Sequence, residues 1–391
     1  MKELGISSKL GLQMAKIKVA HIITELELGG AQQNTIYTVE QLDRTKYEPV
    51  LITGPGGILD QEVKNNPKVR CLFIPHIVRP ISPFRDTLAL ISLYRLLKSE
   101  KVDLVHTHSS KVGILGRWAA YFANVPKIMH TYHGFGFNNY QKWWVRKLLI
   151  LLERVTAGVT DKLIAVSGEN VRKGLANRIG KQGQYVVIHS GIKIRAFSEV
   201  NVDFDGKRRE IGIEKGNPVV GMIACFKPQK APLNFIRLAK RVCSVCPKVK
   251  FVLVGDGELR PKIEKLIGEL NLKNQVILTG WRRDISELIH IFDILVLTSL
   301  WEGLPRVFLE AEAAGKPIVA TNVDGAKEVI IDEVNGFLVE PDNLNGLAER
   351  VIWLIKNRDQ AEKMGQKGRT TVSAAFDIDR MVQDIEKLYG E

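Results

Sequence analysis

The chain has 391 residues, 45% of them apolar and 25% charged, and a formal net charge of +13. That length exceeds one ordinary domain and fits two. No stretch approaches the run of about 18–20 apolar residues that a membrane span requires, and four cysteines are too few for a disulfide framework, which points to the cytosol. The basic residues are dispersed, densest at Lys207-Arg208-Arg209, and most read as solvated helix faces. Without zinc-finger spacing or an RNA-binding signature, nucleic acid is not an expected partner; phosphorylated substrates and an anionic membrane surface are.

Residues 1–13 read as a loose extension ahead of Met14, without a secretory apolar core. From there strand and helix alternate. Strands are predicted at 16–23, 49–53, 69–73, 103–106, 127–131, 162–166 and 185–188, and helices at 31–42, 88–99, 112–123 and 142–156. Ser167 caps a further helix. Such alternation predicts parallel sheets covered by helices on both faces. Gly29 and Gly30 follow the first strand, where the backbone can approach a phosphate closely at a helix N-terminus or simply make a tight turn. His106 and His108 share one face of a strand, so a metal pair is conceivable, but no nearby carboxylate or third histidine is expected to complete a site. Acceptor contact and helix capping are the other readings. His130 lies within a strand and reads as structural; His133 lies just beyond it. The helix at 142–156 mixes Trp143 and Trp144 with Lys142, Arg146, Lys147 and aliphatic residues, which suits either a membrane interface or packing on the sheet.

Between about 197 and 215 the rhythm lapses, as a linker would. A second unit begins at 218–224, with later strands at 249–254, 275–278, 294–297, 317–320 and 337–339. Lys227 and Lys230 follow its first strand, where cations can neutralise a diphosphate. Cys243 and Cys246 have redox or metal spacing but no second pair, and read as packing. Gly255-Asp256-Gly257 and Gly280-Trp281-Arg282 each follow an apolar strand. The most informative stretch runs from Ser299 to Glu310. Glu302 lies in the loop at the carboxyl end of the strand 294–297, and Glu310, with seven residues between them, lies in the next helix. In open α/β sheets ligands bind at that end. The free N–H groups around Gly303 and Leu304 suit a phosphate, Glu310 can accept from a sugar diol, and Glu302 can hold hydroxyls beyond the phosphate. A nucleotide sugar satisfies all three. The competing reading is a surface helix with two solvated glutamates.

The stretch resembles the E-x7-E signature of family 4 retaining glycosyltransferases. The resemblance extends through Ala311–Thr321, Asp324-Gly325, Val254–Gly257, Leu278–Trp281 and Asn335–Val339, strongly in the second half and more weakly in the first. It implies a GT-B fold, α/β with two Rossmann-like domains facing a central cleft. The expected domains are 15–200 on the acceptor side and 201–376 for the nucleotide sugar, with 377–391 crossing back to the first. It also implies Glu302, His133 and Lys230 as catalytic, with His133 facing the donor sugar. Gly29, Gly30, Lys227, Gly280, Trp281, Arg282, Gly303, Leu304 and Glu310 would bind substrate. Cys225 stands where the family usually has an arginine, so one guanidinium is missing from the diphosphate grip, and Lys227 is the candidate replacement.

The resemblance further implies a retaining, metal-independent hexosyl or N-acetylhexosaminyl transfer from a nucleotide sugar, expected to be UDP-linked, with no cofactor. The segment Thr131–Phe137 resembles bacterial members that build surface polysaccharides on lipid carriers, which implies a lipid-linked or glycan acceptor at the inner face of the cytoplasmic membrane. Alternatives are a nucleotide-sugar hydrolase or epimerase of the same fold and a non-catalytic basic binding protein.

Overall fold

The computed structural model describes residues 15–391 apart from Val202; the expected extension over residues 1–13 lies outside the described residues. Seven strands form the first sheet: β1 Ile17–Glu25, β2 Tyr47–Gly54, β3 Cys71–Phe73, β4 Leu104–His108, β5 Lys127–Tyr132, β6 Lys162–Ala165 and β7 Tyr185–Val187. Six form the second: β8 Val219–Ile223, β9 Lys250–Val254, β10 Val276–Gly280, β11 Ile294–Leu297, β12 Ile318–Thr321 and β13 Gly336–Val339. The spatial orders are β3-β2-β1-β4-β5-β6-β7 and β10-β9-β8-β11-β12-β13. Every pairing in both sheets is parallel. Parallel strands need crossover helices, and helices on both faces bury the central strands. That is why β11 is the unbroken apolar run Ile-Leu-Val-Leu, all of it buried.

The stretch expected to be a bare linker contains two short helices, Ile194–Ser198 and Phe204–Glu210. Their apolar residues are few and spaced for a single contact, with Phe197 the one buried side chain of the first helix, so no amphipathic period is visible in sequence. The Ser167 cap is present: its hydroxyl accepts from Asn170 N–H at 3.2 Å. Cys243 and Cys246 are free and only half buried at the end of the helix Pro232–Val245.

The last helix, Ile378–Gly390, belongs to the first sheet. Its Ile378, Met381, Val382, Ile385, Leu388 and Tyr389 pack with Val19 of β1, Leu104 of β4, Met129 of β5 and Ile164 of β6. Apolar residues recurring every three or four positions make that stripe. Asp377 caps the helix by accepting from Asp379 N–H at 2.9 Å.

Candidate active site

Each sheet reverses its strand order once, between β1 and β4 and between β8 and β11. Loops leaving the carboxyl ends on either side of such a reversal diverge and open a crevice. The two crevices face one another and form a cleft of about 500 Å³.

The second-domain wall is built on β11. At its end the Thr298 hydroxyl reaches the carbonyls of Lys230 and Ala231 at 3.1 and 3.0 Å, tying the loop after β11 to the loop after β8. Glu302 is only 6% exposed. Its Oε1 accepts from the Ser299 hydroxyl at 2.6 Å and is ion-paired with Lys230. Its backbone N–H donates to Asp324 Oδ2 at 2.8 Å, and Lys173 Nζ, from the first domain, donates to the other Asp324 oxygen at 2.9 Å. A carboxylate removed from water requires such partners, and here they fix Glu302 in one position. Among the described residues the N–H groups of Gly303 and Leu304 donate to no protein acceptor. Pro305 takes the cap position, where its missing N–H costs nothing, and the helix Arg306–Ala313 follows.

Glu310, 9% exposed, lies on the cleft side of that helix. Burial raises its carboxyl pKa, and Arg306, 3.6 Å away, opposes the rise. The reading of a surface helix with solvated glutamates is thereby overturned, because both carboxylates are buried at one cleft. Arg306 also crosses the cleft, donating to Gln33 Oε1 at 2.7 Å.

The first-domain wall carries Gly29 and Gly30 at the start of the helix Gly30–Gln41, whose first-turn N–H groups have no helical partners. His133 lies beyond β5. Burial, and then the Arg306 guanidinium, lower its pKa to about 4, so a neutral imidazole faces the cleft near pH 7. A neutral ring can donate or accept a hydrogen bond without adding positive charge beside the ligand.

Eleven of the twelve expected residues line this cleft: Gly29, Gly30, His133, Lys227, Lys230, Trp281, Arg282, Glu302, Gly303, Leu304 and Glu310. Gly280 does not. Its carbonyl accepts from Gly255 N–H at 2.9 Å. Arg282 is held by Asp284 at 2.5 and 2.8 Å and by Glu210 at 2.5 Å, so its charge is already matched. Lys227 is ion-paired with Glu27 of the first domain, which also accepts from Arg79 at 2.5 Å. Cys225 is a half-buried wall residue.

Sequence reasoning missed Arg79, Arg306 and Glu27. Arg306 stood in view between the two glutamates. Arg79 and Glu27 lie in loops without a motif. With Arg282 matched by Asp284 and Glu210 and Arg283 paired with Glu62 at 3.0 Å, the cleft presents four further cations (Arg79, Lys227, Lys230 and Arg306) against three carboxylates (Glu27, Glu302 and Glu310). That excess favours an anionic ligand.

His106 and His108 share a face as expected, with ring centroids 4.3 Å apart. The expectation that no third histidine lies nearby is corrected. His21 of β1 stands in register with His106, and ligating nitrogens of His21, His106 and His108 lie within 4.8 Å of one another. The sequence concealed this because parallel pairing of β1 with β4 joins residues 85 positions apart.

Two Rossmann-like domains with a basic cleft between their carboxyl ends define the GT-B class of sugar-transfer enzymes. The family model "Glycosyl transferases group 1" matches residues 203–371, and "Glycosyltransferase Family 4" matches residues 28–195. The chain is 34% identical over 378 residues to the Escherichia coli UDP-Gal:alpha-D-GlcNAc-diphosphoundecaprenol alpha-1,3-galactosyltransferase, covering 96% of this chain and 97% of that one. It is 24% identical over 327 residues to the capsular polysaccharide biosynthesis glycosyltransferase CapM of Staphylococcus aureus, covering 81% of this chain and 85% of that protein. The fold matches Anabaena HepE, solved with UDP and glucose, with a TM-score of 0.81 at 21% identity over 96% of this chain and 99% of that one. The chain belongs to glycosyltransferase family 4.

Proposed function

We propose that this glycosyltransferase moves a hexose or N-acetylhexosamine from a UDP-sugar to a lipid-linked saccharide, with retention of anomeric configuration and without a metal ion. The observation that carries the reading is the convergence of Lys230, Glu302, Glu310 and His133 on one cleft with surplus positive charge. The whole-length likeness to a UDP-galactose-dependent enzyme acting on a diphosphoundecaprenol-linked sugar supports the donor and acceptor classes.

In this account Glu310 accepts from the ribose hydroxyls, and the N–H groups of Gly303, Leu304 and Gly30 bind the diphosphate, Gly29 letting the backbone come close while its own N–H donates to the Glu27 carbonyl at 2.9 Å. Lys230 neutralises the charge that accumulates on the departing phosphate, a fixed electrostatic contribution made where the transition state needs it. Glu302 holds donor-sugar hydroxyls and orients Lys230. It is not a glycosidase-type base: its oxygen is already held by a lysine and a serine. The acceptor hydroxyl attacks the anomeric carbon from the face the diphosphate leaves, and the departing phosphate takes its proton. His133 contacts the donor sugar as a neutral ring.

The peripheral surface is the helix Trp143–Ala157. Its Trp143 is 70% exposed, and Trp144, Leu148, Leu151, Leu152 and Val155 are also exposed. Lys147 lies 4.9 Å over the Trp143 ring. Exposed tryptophans beside cations suit the interface of an anionic bilayer, and no helix among the described residues is long and apolar enough to cross one. In this reading the helix rests on the inner face of the cytoplasmic membrane, beside a lipid-linked acceptor.

The test is incubation of purified protein with UDP-sugars, with and without a polyprenyl-diphosphate-linked amino sugar. UDP release that depends on the acceptor supports the reading. Release without acceptor would assign a hydrolase, and epimerised donor would assign an epimerase.

A further inference from the structure

Five hydrogen bonds run in one unbroken line through the interior of the first domain. The Thr131 hydroxyl lies 2.7 Å from His106 Nε2, and His106 Nδ1 lies 2.6 Å from the Tyr389 hydroxyl. That hydroxyl lies 3.1 Å from His21 Nε2, and His21 Nδ1 lies 3.1 Å from His108 Nε2. His108 Nδ1 lies 3.2 Å from His133 Nε2 at the cleft wall. The line joins three strands and the loop after β5 to the last helix, which supplies Tyr389.

A neutral imidazole carries one donor and one acceptor nitrogen. His21, His106 and His108 each use both, so fixing one proton fixes every proton along the line. All three rings are fully buried and held neutral: burial lowers the His21 pKa to about 3 and those of His106 and His108 far below the usual value. Among the described residues Thr131 Oγ1 has no other partner, so its proton goes to His106. Each later link then donates toward the cleft, and His133 Nε2 becomes an acceptor, leaving the proton on Nδ1. The reverse order would leave a buried threonine hydroxyl without a protein acceptor among the described residues, at about 1–3 kcal/mol.

We propose that His21, His106, His108 and Tyr389 are positioning residues that fix the tautomer of His133, so that its Nδ1–H is presented to the donor sugar. The proposal rests on the reading of His133 as a donor-sugar contact. It gives the crossing of the last helix a catalytic consequence, since Tyr389 supplies the central link. A divalent cation held by the three buried histidines is the competing use of the cluster. It would take nitrogens already engaged in this line, and among the described residues no carboxylate joins the group to offset its charge.

The test uses full-length protein labelled with ¹⁵N-histidine, the His133 resonances being assigned from their loss in His133→Gln. The wild type is expected to show a single Nδ1–H tautomer for His133. Tyr389→Phe keeps the ring and removes the link; it should give mixed tautomers and lower kcat by about tenfold, with donor KM changed less than about twofold. His106→Gln does not touch His133 and should perturb the same resonances, which guards against a folding defect in the first variant. Unchanged His133 resonances in both variants, an Nε2–H tautomer in the wild type, or one equivalent of zinc binding with a gain in turnover would overturn the proposal. If the wild type transfers no sugar, the functional reading fails while the resonances still decide the hydrogen-bond line.

Discussion

Gly303 of the second domain and His133 of the first touch backbone to backbone: a Cβ on Gly303 would fall 2.1 Å from the His133 carbonyl oxygen and 2.9 Å from Gly134 N. No side chain fits there without moving one domain from the other. Gly303→Ala should therefore hold the cleft ajar and lower kcat by about 100-fold, because misplacing a reacting group by about 1 Å costs that much. Circular dichroism should show both sheets intact. Acceptor-dependent UDP release at the wild-type rate would show that this approach is not required for turnover.

Lys230 and Glu302 form one unit, so their substitutions should not add. Lys230→Ala and Glu302→Ala should each reduce kcat by about 100-fold or more while leaving the melting temperature within a few degrees. The double variant should be little worse than either. Independent, multiplying losses would separate the two roles.

Glu312 yields a pH prediction unconnected with catalysis. It is buried two positions after Glu310, accepting from Asn335 Nδ2 at 2.6 Å and Thr371 Oγ1 at 2.9 Å, and burial raises its pKa from 4.5 to about 8. The folded state thus binds a proton that the unfolded state has lost above about pH 4.5. Stability falls as pH rises from there toward 8. Glu312→Gln keeps the shape and removes the titration. Between pH 6 and 8 the wild type should lose about 2 kcal/mol relative to this variant in urea unfolding. Parallel curves for the two proteins would assign the pH dependence elsewhere.

The exposed helix makes a separable claim. Replacing Trp143 and Trp144 together with serine should reduce sedimentation with anionic vesicles at low salt by about tenfold. Turnover on a short, water-soluble acceptor should be unchanged. Equal sedimentation of variant and wild type would leave the helix without a membrane role.

Much of this was legible in sequence because the informative signals are local. The apolar strand before Glu302, the Gly-Leu-Pro turn and the helix holding Glu310 are consecutive, so the apolar run and the turn put Glu302 at the strand end and Glu310 in the helix that follows. The glycine pair, Lys230 and His133 follow their strands in the same way. What was not legible depends on pairing across the chain. His21 reads as an ordinary residue of an apolar strand until the parallel register sets it beside His106. Tyr389 reads as one apolar position of an amphipathic helix until that helix docks on the first sheet. Lys227 read as a free cation for the diphosphate, whereas the fold gives it Glu27. Gly280 was assigned by its motif neighbours, and only the geometry shows that Trp281 lines the cleft while Gly280 does not.

The most direct measurement is UDP released by purified protein from a panel of UDP-sugars, with a polyprenyl-diphosphate-linked amino sugar as acceptor and the product's anomeric linkage read by NMR. The account predicts acceptor-dependent release with one of the sugars, an α-linked product from the α-configured donor, and loss of both in Lys230→Ala. Absence of release with every donor, or a β-linked product, would contradict it.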